Sequence, residues 1–343
     1  MSSPLAALGV SLPVLAAPMA GGPSTPQLVA AAARAGGLGF LAGGYQSPDA
    51  LAAQMAQARV IGVAFGVNLF APNPVPVDPE AFGRYARAIA PAAERYGVDL
   101  LEVPLTEDDD HWSDKVELLL SEPVPVAGFT FGVPRPGVVD ALRGAGTLVM
   151  QTVTSAEEAQ LAESAGVDML TVQASAAGGH SGTFTPGRPV PDTPLCELLG
   201  QVCAVTSLPL VAAGGLATPE AVARALRAGA AAVMVGTVLL RADESGASRP
   251  HRAAVGDQSR GATVITRAFT GRPARALRNQ FTDRFSGVAP EGYPAVHHLT
   301  SPLRRASAAA GNPEWINLWA GTGYRRATAE PTAHILRRLT TTL

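Results

Sequence analysis

Lysine is nearly absent from this 343-residue chain: of 26 Lys and Arg residues only Lys115 is a lysine, and the formal net charge is −2. The basic residues are spread along the chain, so no basic surface for nucleic acid is expected. Charged residues make up only 16% and aromatics 5%, while hydrophobic residues reach 47%. That balance excludes intrinsic disorder, which needs low hydrophobicity and high net charge. It suits one large packed unit, or a barrel with an appendage. Cysteine is limited to Cys196 and Cys203 in a predicted helix. Two such residues make neither a disulfide framework nor a metal set, and they are expected to be packing residues in a protein of the reducing cytoplasm. No basic residue precedes Arg34, and Pro4, Pro13, Pro18, Pro23 and Pro26 interrupt the apolar stretch before it. Neither an export signal nor a membrane span is expected.

Alanine, glycine (36) and proline (29) are abundant instead. Short apolar runs alternate with Ala-rich segments of helical length, the rhythm of parallel strands covered by helices on both faces. Eight strands are predicted: Val14 to Pro18, Gly39 to Ala42, Val63 to Leu69, Val124 to Phe131, Thr147 to Val153, Met169 to Gln173, Leu208 to Ala213 and Ala231 to Val235. Eight parallel strands point to a closed (β/α)8 or TIM barrel. Helix starts are predicted at Ser24, Ser47, Ser155 and Thr218, and helix stops at Gly36, Gly97, Gly144, Gly166 and Gly229. A further apolar run, Leu100 to Leu105, leads into the acidic stretch Glu107 to Asp110 and is assigned to a loop excursion.

After Leu240 the alternation of strand and helix stops, and Arg-, Gly- and Pro-rich segments follow. The expected division is a ligand-binding barrel over residues 1–240, a small inserted lid or substrate domain over 241–314, and a C-terminal segment, 315–343. In that last segment an amphipathic stretch with Ile335, Leu336 and Leu339 packs back on the barrel.

Barrels of this type commonly hold phosphate in the loops after the seventh and eighth strands, where backbone N–H groups point outward unpaired. Glycines stand at both places, Gly214 and Gly215 after one strand and Gly236 before Thr237 after the other. Each is a simple turn or part of a phosphate cradle, and their pairing favours the cradle. The densest signal is Gln173 to Gly182 after the sixth strand, where three glycines surround His180. An imidazole at the catalytic end of a barrel is a candidate general base or a residue that ties its loop down. The other histidines, His111, His251, His297, His298 and His334, are expected to be surface or structural residues. Gly37 to Ala42 matches a dinucleotide fingerprint only formally, since it follows a helix and enters a strand. The acidic run Asp108 to Asp110 is expected to be a solvated loop, and no metal site is expected.

Together, several segments resemble the nitronate monooxygenase family, formerly the 2-nitropropane dioxygenases. They are Ala17 to Pro23, Phe65 to Phe70, Phe129 to Gly132, Ala177 to His180, Ala212 to Gly215, Val235 to Thr237, Thr266 to Pro273 and Leu318 to Gly321. The resemblance implies FMN, its phosphate at Gly215, Gly236 and Thr237 and its ring near Met19, Asn68, Gln173 and Gly178. Gln151, Gly179, Gly214, Met234 and Val235 complete the implied cofactor contacts. It also implies that His180 removes the α-proton of a neutral nitroalkane, and that oxygen completes conversion to a carbonyl compound and nitrite. A small nitronate or nitroalkane and O2 are the implied partners, for a monomer or homodimer. Arg267 or Arg272 would attract the anion, or else be surface or lid residues.

Three positions depart from the family pattern: Ala174 and Ala176 stand where Gly and Glu are usual, and Thr322 where Gln is usual. These departures bear on the substrate more than on the fold or the flavin. The alternative on the same scaffold is an NAD(P)H-dependent reductase of enoyl thioesters or quinones, and a catalytically idle flavin-binding protein is a third reading.

Overall fold

In a computed structural model describing residues 4–343, eight parallel strands close into a barrel. Residues 1–3 of the expected barrel portion lie outside the described residues. The strands are β1 (Val14–Ala16), β2 (Leu38–Ala42), β3 (Phe65–Phe70), β4 (Val126–Thr130), β5 (Leu148–Val153) and β6 (Met169–Gln173). A short β7 (Gly179–His180) lies outside the barrel, and β8 (Leu210–Ala213) and β9 (Ala232–Val235) complete it. Closure is direct, because β9 pairs with β1 in the register Val14 with Val233 and Ala16 with Val235. All eight predicted strands are present, and the 98–111 stretch contains no strand.

Parallel strands buried on both faces need two apolar layers. Leu15, Phe40, Val126, Met150, Met169, Val211 and Met234 fill the barrel interior. Val14, Leu41, Val67, Phe129, Val149, Val172 and Val233 face the surrounding helices. The helix Thr332–Leu339 buries Ile335, Leu336 and Leu339 in that outer layer.

Helix punctuation follows capping chemistry with two corrections. Ser47, Ser155 and Thr218 each accept a hydrogen bond from the third residue of their helix, as expected of N-caps. At the first helix, however, the cap is Thr25 rather than Ser24. The Ser24 hydroxyl instead accepts the Met19 N–H at 2.9 Å and so helps to shape the loop after β1. The helix Pro136–Gly144 also runs through Gly144, and the left-handed residue that ends it is Gly146, with φ 85°. Cys196 and Cys203 lie on the helix Leu195–Cys203, as free and exposed thiols rather than packing residues. Their shared face is the solvent side, because Leu198, Leu199 and Val202 take the buried one.

The 241–314 segment has more regular structure than its composition suggested. Strands β10 (Thr263–Thr266) and β11 (Ala274–Leu277) form an antiparallel pair, and β7 joins β11, setting His180 beside Ala274. A separate apolar cluster joins this segment to the excursion after β3: Tyr85, Ile89 and Leu100 pack with Phe269, Phe281, Val296, Leu299 and Trp315. Packing therefore groups the 77–103 excursion with the later segment, a partnership across about two hundred residues of chain that no local pattern reveals.

Candidate active site

The C-terminal ends of the barrel strands and the 241–314 segment enclose a cavity of about 740 Å³, within the range of roughly 300–1,000 Å³ typical of small-molecule and cofactor sites. Its lining includes Met19, Asn68, Gln173, Gly178, Gly179, His180, Gly214, Gly215, Met234, Val235, Gly236 and Thr237. Gln151 is the exception among the expected residues. On β5, Met150 belongs to the barrel interior and Thr152 to the cavity wall, whereas Val149 and Val153 face the helices. Strand alternation sends Gln151 with the second group, where it is fully buried and its side-chain amide donates to the Thr152 carbonyl.

At the ends of β8 and β9 the chain builds a polar concavity from backbone. Gly214 and Gly215 have φ 106° and 74°, conformations that glycine adopts without strain. Among the described residues the N–H groups of Gly215 and Gly236 donate to no backbone acceptor. The single helical turn Thr237–Leu239 begins beside them. Unpaired N–H groups of this kind suit an anion such as a phosphate. The loop after β6 is held against this end by the glycine motif near the C-terminus. The Gly321 N–H donates to Thr237 Oγ1 at 2.9 Å, and the Thr322 N–H donates to the Ala176 carbonyl at 3.0 Å. A Cβ on Gly178 would lie 2.5 Å from the Gly321 nitrogen, so the close approach requires glycine. Of the three departures from the family pattern, Ala176 lines the cavity, whereas the Ala174 methyl is buried in the outer layer.

His180 sits within a ring of aromatics. Phe131, Trp319 and Tyr293 lie at centroid distances of 5.5, 5.3 and 6.2 Å, and Tyr45 and Phe70 at 6.4 and 6.5 Å. Its Nε2 lies 2.9 Å from Thr270 Oγ1. Phe131 and Tyr45 have positive φ, 84° and 66°, and non-glycine residues held there concentrate at functional sites. Burial, followed by the charges of Arg272 and Arg304, lowers the His180 pKa to about 3, so the imidazole is neutral at physiological pH.

The two arginines are placed differently. Arg304 lines the cavity, donating to Thr300 Oγ1, Asn317 Oδ1 and the His297 carbonyl. Arg272 is fully buried behind the wall. Its guanidinium lies 4.0 Å above the Phe131 ring and donates to the Asn73 and Thr183 carbonyls. Neither forms an ion pair among the described residues. Burial lowers both to about 10, which leaves them cationic at neutral pH. Of the two arginines expected to attract an anion, neither reaches the cavity: Arg272 acts at most through its field, and Arg267 is tied to the Pro186 carbonyl and Glu291.

Several wall residues were not expected here. His297 stacks on Tyr45 at 3.9 Å, and His251, its Nε2 3.0 Å from the Trp319 carbonyl, also lines the cavity. His298 pairs with Asp108 at 2.9 Å, and Asp110 accepts the Tyr45 N–H and pairs with the buried Lys115 at 2.8 Å. Asp108 and Asp110 thus border the cavity together with His111, while Asp108 and Asp109 remain exposed, as expected of a solvated loop.

The sequence matches the nitronate monooxygenase family profile over residues 2–341. A probable nitronate monooxygenase of Staphylococcus saprophyticus is 34% identical over 93% of this chain and 90% of its own length. One from Staphylococcus aureus is 33% identical over 97% of this chain and 94% of its own. Among solved structures, the nitroalkane oxidase of Streptomyces ansochromogenes superposes with a TM-score of 0.92 at 44% identity, covering 98% of this chain and 96% of that one. FabK from Thermotoga maritima is more distant, with a TM-score of 0.75 at 26% identity over 97% and 92%. With the profile matched along nearly the whole sequence and relatives alike over nearly their full length, the chain belongs to the nitronate monooxygenase family of oxidoreductases.

Proposed function

We propose that this chain catalyses the FMN-dependent oxidative denitrification of alkyl nitronates and nitroalkanes by O2, yielding a carbonyl compound and nitrite. The observation that carries this reading is a neutral imidazole, His180, in the field of two arginines that lack carboxylate partners, within a cavity that also contains an anion-ready glycine cradle. The residues present fit the cofactor: the N–H groups of Gly215 and Gly236, with Thr237, would hold its phosphate. Met19, Asn68, Gln173 and Gly178 would border the ring, with Gly179, Gly214, Met234 and Val235 completing the wall. Bound FMN supplies the electron transfer between the nitronate and dioxygen.

The chain itself handles the proton and the charge. A nitroalkane is neutral, and loss of its α-proton places negative charge on the nitro oxygens. His180, uncharged at rest, accepts that proton. The imidazolium formed beside the new anion is stabilised by it, and Arg304 and Arg272 stabilise the anion through their field in a site of low dielectric. A preformed nitronate needs no proton removal and uses only the positive field. Phe70, Phe131, Tyr293 and Trp319 limit water around the imidazole. Residues 241–314 supply much of this substrate-side wall, consistent with their assignment as a lid or substrate domain.

Identification of the flavin released on denaturation, with anaerobic visible spectra, tests this function. The expected result is FMN that bleaches on adding propionate 3-nitronate and does not bleach with NADH. The FabK likeness supports a reductase as second reading; bleaching by NADH alone would establish that reading and remove the first.

A further inference from the structure

Thr270 is buried in the turn between β10 and β11, and it meets His180 across ninety residues of sequence. Its hydroxyl oxygen has three polar neighbours. His180 Nε2 is at 2.9 Å, the Arg272 carbonyl oxygen at 3.3 Å and the Arg272 nitrogen at 3.4 Å. A hydroxyl has one proton to give and two lone pairs to receive with. The Arg272 carbonyl can only accept and the Arg272 N–H can only donate. All three contacts are satisfied together in one way: the hydroxyl donates to the carbonyl and accepts from both the Arg272 N–H and a protonated Nε2. The opposite tautomer uses the hydroxyl proton on Nε2 and leaves the carbonyl contact without a hydrogen. Among the described residues no hydrogen bond reaches His180 Nδ1.

Resting on the proposed function above, we infer that Thr270 is a positioning residue that holds the proton on His180 Nε2, so that the lone pair receiving the substrate's α-proton is on Nδ1. In the step, the substrate Cα–H bond breaks, its electron pair passes into the nitro group to give the nitronate, and the proton bonds to Nδ1. The resulting imidazolium keeps its Nε2–H hydrogen bond to Thr270, which strengthens as the ring becomes charged. The arrangement parallels the way an orienting group fixes the tautomer of a histidine base in hydrolases.

The test compares the holoenzyme with Thr270→Val, which keeps the shape and removes the hydroxyl, and with Thr270→Ser, which restores it. ¹⁵N NMR of labelled histidine is expected to show the Nε2–H tautomer for His180 in the parent and in Thr270→Ser, and a mixed tautomer population in Thr270→Val. The kcat/KM for a neutral nitroalkane is expected to fall about tenfold or more in Thr270→Val, a part of the roughly 10²–10⁴-fold that a positioned base contributes. It should return to within about threefold in Thr270→Ser, while turnover of the preformed nitronate stays within about threefold throughout. An Nδ1–H tautomer in the parent, or an unchanged tautomer in Thr270→Val, would overturn the inference even if His180 is the base. Equal loss on both substrates would make Thr270 merely structural. If His180→Asn spares the nitroalkane reaction, the underlying functional reading fails instead.

Discussion

At the scale of single residues, the site is a problem of charge placement. The role proposed for His180 needs a neutral imidazole, and burial and two nearby cations oppose its protonation. With a pKa of about 3, the imidazole stays unprotonated through the range where an ordinary histidine titrates. For the free enzyme, kcat/KM with a neutral nitroalkane should therefore show no fall assignable to His180 between pH 7 and pH 5. A pH–rate profile checks this, and replacing Arg304 by Met should move any acid limb to higher pH. His180 was visible in the sequence because glycines crowd around it at a strand end. Thr270, Tyr45, Trp319 and Arg304 were not singled out, although Thr270 and Trp319 lie in segments that carry the family resemblance, since each meets the imidazole or its field only through folding. Gln151 was misplaced for a different reason. Strand β5 carries one polar residue on each face, Gln151 on one and Thr152 on the other, so nothing local in Val149, Met150, Gln151, Thr152 and Val153 reveals which parity faces the barrel.

At the scale of elements, the glycine-rich strand ends and the acidic loop perform different tasks. Gly215 has φ 74°, which costs a non-glycine residue about 1 kcal/mol or more, and its N–H belongs to the cradle proposed for phosphate. Gly215→Ala should yield folded protein that retains less flavin after gel filtration, read from the ratio of visible to ultraviolet absorbance. In the acidic loop, Lys115 is buried and pairs with Asp110, which in turn holds the Tyr45 backbone. Lys115→Met leaves that carboxylate without its partner, and a loss of about 3–5 kcal/mol in denaturant unfolding is expected for breaking a buried pair from one side. The strand and helix rhythm made the barrel elements legible, because both apolar layers are built from local runs. The exposure of the loop was legible, whereas the ties of Asp110 to Tyr45 and of Asp108 to His298 were not, because those partners lie far away in the chain.

At the scale of the whole molecule, the 241–314 segment closes the cavity together with the strand ends, and the cluster of Tyr85, Phe269, Phe281 and Trp315 ties that segment to the excursion after β3. Enclosure has a thermodynamic consequence. His180, His251 and His297 are all held below the ordinary histidine pKa by burial, at about 3, about 4 and well below 6.5. Between those values and the ordinary one, the unfolded chain binds protons that the folded chain does not, so stability rises with pH across that window. Stability should therefore be fully present above about pH 6.5 and decline as the pH falls towards 4, measured by urea unfolding at each pH. Replacing His251 by Gln should flatten that decline.

The most direct test of proton removal by His180 is the comparison of two substrates in His180→Asn. Turnover of a neutral nitroalkane should fall by about 10²-fold or more, the size expected for loss of a general base, while turnover of the preformed nitronate should fall far less. Equal losses on both substrates would contradict that role, because they would show that His180 serves something other than removal of the α-proton.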